Sequence, residues 1–164
     1  MNKQIILSIR GTTAIFWLGF FMAISFMEAP LKFTAPNLSL TEGLQIGKII
    51  FGALNKCEWV FLFIILISCL LNKASKKDLY LIAIISIILV IETTWLLPLL
   101  DAGANRVISG QPAGAKYIHW LYILLEIIKV PVLLLIGLEN YRSKVFAGSN
   151  AAKATAALSN PKFI

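Results

Sequence analysis

Glu58, Glu92, Glu126 and Lys129 stand inside stretches of sequence that are otherwise almost wholly apolar. Carboxylates and an ammonium in such surroundings can bind a cation, relay protons or hold a basic ligand, because a charge without water must be paired or neutralised. His119, the chain's one histidine, joins them as a candidate ligand or proton carrier. Helical spacing groups these residues. His119, Tyr122, Glu126 and Lys129 recur at i, i+3, i+7 and i+10, which is one polar stripe with Glu126 and Lys129 in ion-pairing reach. Lys48, Phe51, Asn55, Glu58 and Leu62 share a second stripe that turns Lys56 away. Glu92 and Trp95 make a shorter third, with Thr93 and Thr94 beside it.

The elements that must carry these stripes are long and apolar. The chain of 164 residues is 59% hydrophobic and 14% charged, with a mean hydropathy of +0.83. Four continuous apolar runs approach the ~20 residues that a helix needs to cross a bilayer, and their continuity excludes a barrel. The reading is an all-α membrane protein, a four-transmembrane-helix bundle within residues 1–138, with spans at about 11–29, 48–71, 79–100 and 117–138. A basic N-terminus before an apolar run also fits a signal peptide. No small-x-small cleavage site follows, and Glu28 with Pro30 closes the segment, so it reads as a retained span. Ser39-Leu-Thr-Glu42 has the form of a capping box, which starts the second helix near Leu40. Gly43 and Gly47 follow at GxxxG spacing, a close-packing face that allows a homo-oligomer. Residues 139–164 read as a basic cytoplasmic tail, helix-extending at first and then partly disordered.

The net charge of +7 does not point to nucleic acid, since the basic residues lie between the apolar runs and form no patch or arm. Nine of them fall at the N-terminus, the 72–78 loop and the tail, against four on the other side. By the positive-inside rule both termini are cytoplasmic, in the inner (plasma) membrane, and the bilayer is the partner to expect. Cys57 and Cys69 lie twelve residues apart on one predicted helix, ~18 Å by its rise, so they cannot bridge.

Counted from the outer ends at ~1.5 Å per residue, Glu58, Glu92 and Glu126 lie ~14–15 Å deep, near the midplane, whereas Glu28 ends its helix at the surface. Each charge at that depth costs ~2.5–3.5 kcal/mol. The economical arrangement turns the stripes inward, giving an acidic pocket open to the outside. The inner half, 60–71 and 79–91, is almost purely apolar and closes it. Pro98 and Pro131 should kink their helices beside the charges, freeing the carbonyls of Thr94 and Ile127.

The leading expectation is a pocket that binds or translocates a cation or small ligand, with Glu58, Glu92, Glu126, Lys129, His119, Asn55 and Tyr122 forming it and no cofactor. The bland reading is that Glu126–Lys129 and Glu58–Lys56 are ion pairs, or the glutamates are protonated cross-links, that merely hold the bundle together. A membrane-embedded metal- or haem-dependent enzyme is a further alternative, as is a non-catalytic subunit of a membrane complex. A di-metal carboxylate bundle needs two Glu-x-x-His pairs, and this chain has none.

The order of features resembles one family. Glu28-Ala-Pro30 with Phe33, then Gly47 and Phe51, then Trp95-Leu-Leu-Pro98, Arg106, and His119 early in the last span are similar to a four-span membrane family that includes eukaryotic transmembrane protein 205. Thr94 stands where that family has a basic residue, and Trp120, Tyr122 and Glu126 replace its Ser and Asn after the histidine. The resemblance implies a four-helix fold, marks Pro30, Trp95, Pro98 and His119, and implies no established chemistry.

Overall fold

The computed structural model describes residues 2–112, 114 and 116–158, with side chains as far as residue 143. Its regular structure is helical throughout. Four helices follow one another: α1 (Lys3–Thr34), α2 (Leu40–Leu71), α3 (Lys76–Ile108) and α4 (Lys116–Leu158). Each is long and apolar enough to cross a membrane. The outside of the bundle is apolar as well, with Leu70 87% and Ile49 73% exposed. In a soluble chain so large an apolar surface would be a liability.

Local chemistry sets the helix starts. Asn2 accepts a hydrogen bond from the Gln4 N–H at 3.0 Å, and Ser39 with Glu42 forms the expected capping box at the head of α2. Ser75 and Asp78 form a second such box at the head of α3. The helices also run past their expected limits. α1 begins eight residues before Gly11 and continues through Pro30, α3 continues through Asp101 to Ile108, and α4 is unbroken to Leu158. Of the expected tail, residues 159–164 lie outside the described residues.

Two prolines that look like stops are absorbed by a change of register. Ala23–Glu28 and Glu92–Leu96 are π-helical, and each segment lies just ahead of a proline, Pro30 and Pro98. A proline deletes one i→i−4 hydrogen bond and crowds the carbonyl four residues earlier, and a π turn takes up that mismatch within the helix. Pro131 lies inside α4 with no interruption of the helix.

α1 packs on α4 and α2, α4 also on α3, and the far half of α3 on α2. The main core joins Trp17, Phe21, Leu54, Leu62, Ile65, Ile85, Leu89, Leu133 and Ile136, drawn from all four helices. Gly11 and Gly137 set the α1–α4 crossing: a Cβ at Gly11 would lie 3.3 Å from the Gly137 carbonyl, and one at Gly137 would overlap Ile15. Gly43 and Gly47 are used within the chain. A Cβ at Gly43 would overlap the Phe33 ring, and one at Gly47 would sit 2.9 Å from Lys32 Nζ. The GxxxG face is therefore a seat for the end of α1.

Gly137→Leu should force α1 away from α4 and cost about 1–3 kcal/mol, as overpacking does. Thermal unfolding in detergent should show a lower midpoint than for Gly52→Leu, where a Cβ meets open space.

Candidate functional site

Lys129 lies at the level where the four helices meet, and its side chain is wholly buried. Its ammonium donates three hydrogen bonds, to Glu58 Oε1 on α2 at 2.8 Å, Glu92 Oε2 on α3 at 2.9 Å and Glu126 Oε1 on α4 at 3.0 Å. An ammonium has three donors and no acceptor, so this set exhausts it. Trp17 Nε1 on α1 donates to the same Glu58 oxygen at 3.0 Å, and the Phe21 ring faces the ammonium with its centroid 5.3 Å away. One cation thus ties all four helices. Among the described residues no group of three His, Cys, Asp or Glu side chains is disposed to hold a metal ion. The carboxylates converge on Lys129 instead.

The cluster is not balanced. With every group ionised, three carboxylates face one ammonium, leaving two negative charges in excess where unpaired charge costs several kcal/mol per ion. Glu92 Oε1 and Glu126 Oε2 are buried with no hydrogen-bond partner. Those oxygens are where protons or a bound cation would compensate the excess.

Glu126 also lines a cavity of about 510 Å³ at the far end of the bundle, the end away from the N-terminus. α1 contributes Ser25, Phe26, Pro30, Lys32 and Phe33 to its walls, α2 Gly43, Leu44 and Phe51, α3 Leu97 and Leu100, and α4 His119 and Tyr122. Lys32 is held by Glu28 at 3.5 Å and over the rings of Phe33 and Phe51, 5.5 and 5.4 Å from their centroids. The rim carries both signs, Lys48 and Asp101.

The residues singled out in the sequence therefore separate. Glu58, Glu92, Glu126 and Lys129 come together, and Tyr122 and His119 share the cavity with Glu126. Glu58 bonds Lys129, while Lys56 is exposed, so the sequence-adjacent pair does not form. Asn55 does not reach the cluster; its amide donates to Thr93 Oγ1 at 3.0 Å, and Trp59 Nε1 donates to the same oxygen. Trp95 is half exposed and shares no face with buried Glu92, because the π turn brings Leu96 into the core instead. Arg106 is exposed and lines a second cavity of about 400 Å³ together with Lys116 and His119. Pro131 is exposed too.

A second polar node lies where an apolar half was expected. Arg10 is wholly buried and donates to Ser68 Oγ at 3.0 Å and to the carbonyls of Ser68 and Asn72 at 2.9 and 2.7 Å. Its guanidinium lies 3.7 Å from Asp78, whose other oxygen accepts from Asn140 at 3.2 Å. Counted as a topology signal at a terminus, Arg10 is in fact two turns inside α1, because the helix starts at Lys3. Trp17 was hidden among other aromatics of α1. A buried indole N–H needs an acceptor, and that requirement is the signal that could have found it.

No protein-family model, curated protein or solved structure matches this chain. The site stands on its own chemistry. Of the positions marked by the family resemblance, Pro30 and His119 line the cavity, Pro98 follows the π turn, and Trp95 faces outward.

Lys129→Met should cost about 3–5 kcal/mol, the penalty for leaving buried charges without their partner. Adding Glu58→Gln, Glu92→Gln and Glu126→Gln to it should recover most of the loss in detergent melting experiments. Arg10→Met should destabilise by a comparable amount, while Lys3→Met, at an exposed position, should leave the melting midpoint unchanged.

Proposed function

We propose that this chain is an integral membrane protein of the inner (plasma) membrane, with both termini in the cytoplasm, that binds a cation or small cationic ligand from the outside. The observation that carries this reading is the convergence of Glu58, Glu92 and Glu126 on a single lysine, with Glu126 at the wall of the cavity. Three acceptors satisfy the three donors of the ammonium, but ionised they carry two negative charges more than it can balance. Surplus negative charge beside a cavity draws positive charge in.

Binding fits the geometry better than a continuous conduction path. Between the Lys129 cluster and the Arg10 node lies a layer of Ala14, Leu62, Ile65, Ile85, Leu133 and Ile136, all buried and apolar. Lys129 and Asn140 are eleven residues apart, so the layer is ~16 Å thick along α4. An ion has no ligands along that distance.

In detergent, sodium, potassium and organic ammonium ions can each be titrated with the melting midpoint as readout. At least one should raise the midpoint of the native protein, since a ligand at about 100 times its Kd adds about 2.7 kcal/mol. Glu126→Gln should remove that rise. Stabilisation that survives glutamine at each of Glu58, Glu92 and Glu126 would sink the proposal.

A further inference from the structure

We infer that the far-end cavity takes an ammonium with an apolar body, the charged head between Ser25 and Glu126 and the body among the aromatic walls. This deepens the cation-binding reading above and rests on it. Two residues that line this cavity each carry a buried polar atom without a hydrogen-bond partner, Ser25 Oγ and Glu126 Oε2. Glu126 is 1% exposed, so its free oxygen is largely withdrawn from bulk solvent. An acceptor in that state favours a donor that enters with its own positive charge.

Ser25 makes no hydrogen bond to its own helix. Several hydroxyls within these helices turn back on their own backbone: Ser8, Ser86, Thr93 and Thr94 each donate to the carbonyl four residues earlier, at 2.7–2.9 Å. Ser25, in the π segment Ala23–Glu28, makes no such bond. Its hydroxyl can therefore serve a guest in the cavity. π turns occur frequently at functional sites.

The walls decide the rest of the ligand. Phe26, Phe33, Phe51, Leu44, Leu97 and Leu100 offer rings and aliphatic surface, and about 510 Å³ lies within the ~300–1,000 Å³ of sites that bury drug-sized molecules. A bare metal ion would leave this surface unused and exchange its hydration shell for two oxygens, a poor return. An acid would meet Glu126, while Lys129 has no donor left for it. Lys32 does not repel a cation outright, since Glu28 offsets its charge.

The test uses the full chain in lipid nanodiscs with three probes of one shape: 4-phenylbutylammonium, 4-phenylbutanol and 4-phenylbutyrate, with sodium as a fourth. The ammonium should bind at least tenfold more tightly than the alcohol and the acid. Ser25→Ala should weaken it about threefold or more, Glu126→Gln tenfold or more, and Leu44→Trp should abolish it by filling the cavity. Ser25→Ala and Leu44→Trp leave the Lys129 cluster intact, so they report even if Glu126→Gln fails to fold. Equal binding of the alcohol or acid overturns the inference, and so does ammonium binding unaffected by Leu44→Trp. Sodium binding that depends on Glu126, with no binding of the phenylbutylammonium, also overturns it but leaves the cation reading standing. Binding of neither cation overturns both.

Discussion

An ammonium buried among four helices must find an acceptor for each of its three N–H groups, and the arrangement of this bundle follows from that requirement. Lys129 meets it with carboxylates from α2, α3 and its own helix, while Trp17 brings in α1 through Glu58. The helices cannot rotate or slide independently without stranding a charge, so one side chain sets the relative rotation of all of them. Dispersion and apolar packing hold the helices near each other but tolerate many registers; a tripod of directional bonds tolerates one. The same cluster has more acceptor than donor, and that surplus is what distinguishes it from a bolt.

The Arg10 node applies a similar restraint near the other end, joining α1, the end of α2, the start of α3 and α4 through Ser68, Asn72, Asp78 and Asn140. The two nodes differ in composition. Arg10 spreads its donors over carbonyls, a hydroxyl and one carboxylate, so opposite charges there are closely matched. The Lys129 cluster gathers three carboxylates around one cation. The Arg10 node is thus satisfied, whereas the Lys129 cluster leaves Glu92 Oε1 and Glu126 Oε2 without a hydrogen-bond partner.

Much of this was legible in the residues, and the failures have physical causes. The equal depth of Glu58, Glu92 and Glu126 and the i, i+3 spacing of Glu126 and Lys129 placed them on facing stripes, and Ser39 with Glu42 located the head of α2. Periodicity misled where the helix was not α: Trp95 was assigned to the Glu92 face on a 3.6-residue turn that the π segment does not keep. Pro30 and Asp101 looked like ends because propensity does not see the register change that carries α1 onward or the continuation of α3. Asn55 has the right phase but pairs with Thr93, a choice between two neighbours that spacing on one helix cannot make. Arg10 lies near a terminus in sequence, but its place inside α1 is what decides its role. The spacing of Gly43 and Gly47 marks a close-packing face without naming what packs there, and Phe33 and Lys32 lie against it from within the chain.

The two π turns carry a consequence for how this protein can vary. Each accommodates one residue more than an α-helix would between the core below and the cavity wall above. Deleting a single residue within Ala23–Glu28 or Glu92–Leu96 would restore an ordinary helix with the residues beyond it kept in place, whereas the same deletion in the α-helical turns ahead of either segment would turn everything beyond it by about 100°. In that second case Ser25, Phe26 and Phe33 would leave the cavity on one side, or Leu97 and Leu100 on the other. Chain length inside these two helices is therefore part of the cavity's shape, as binding as the identity of any side chain that lines it.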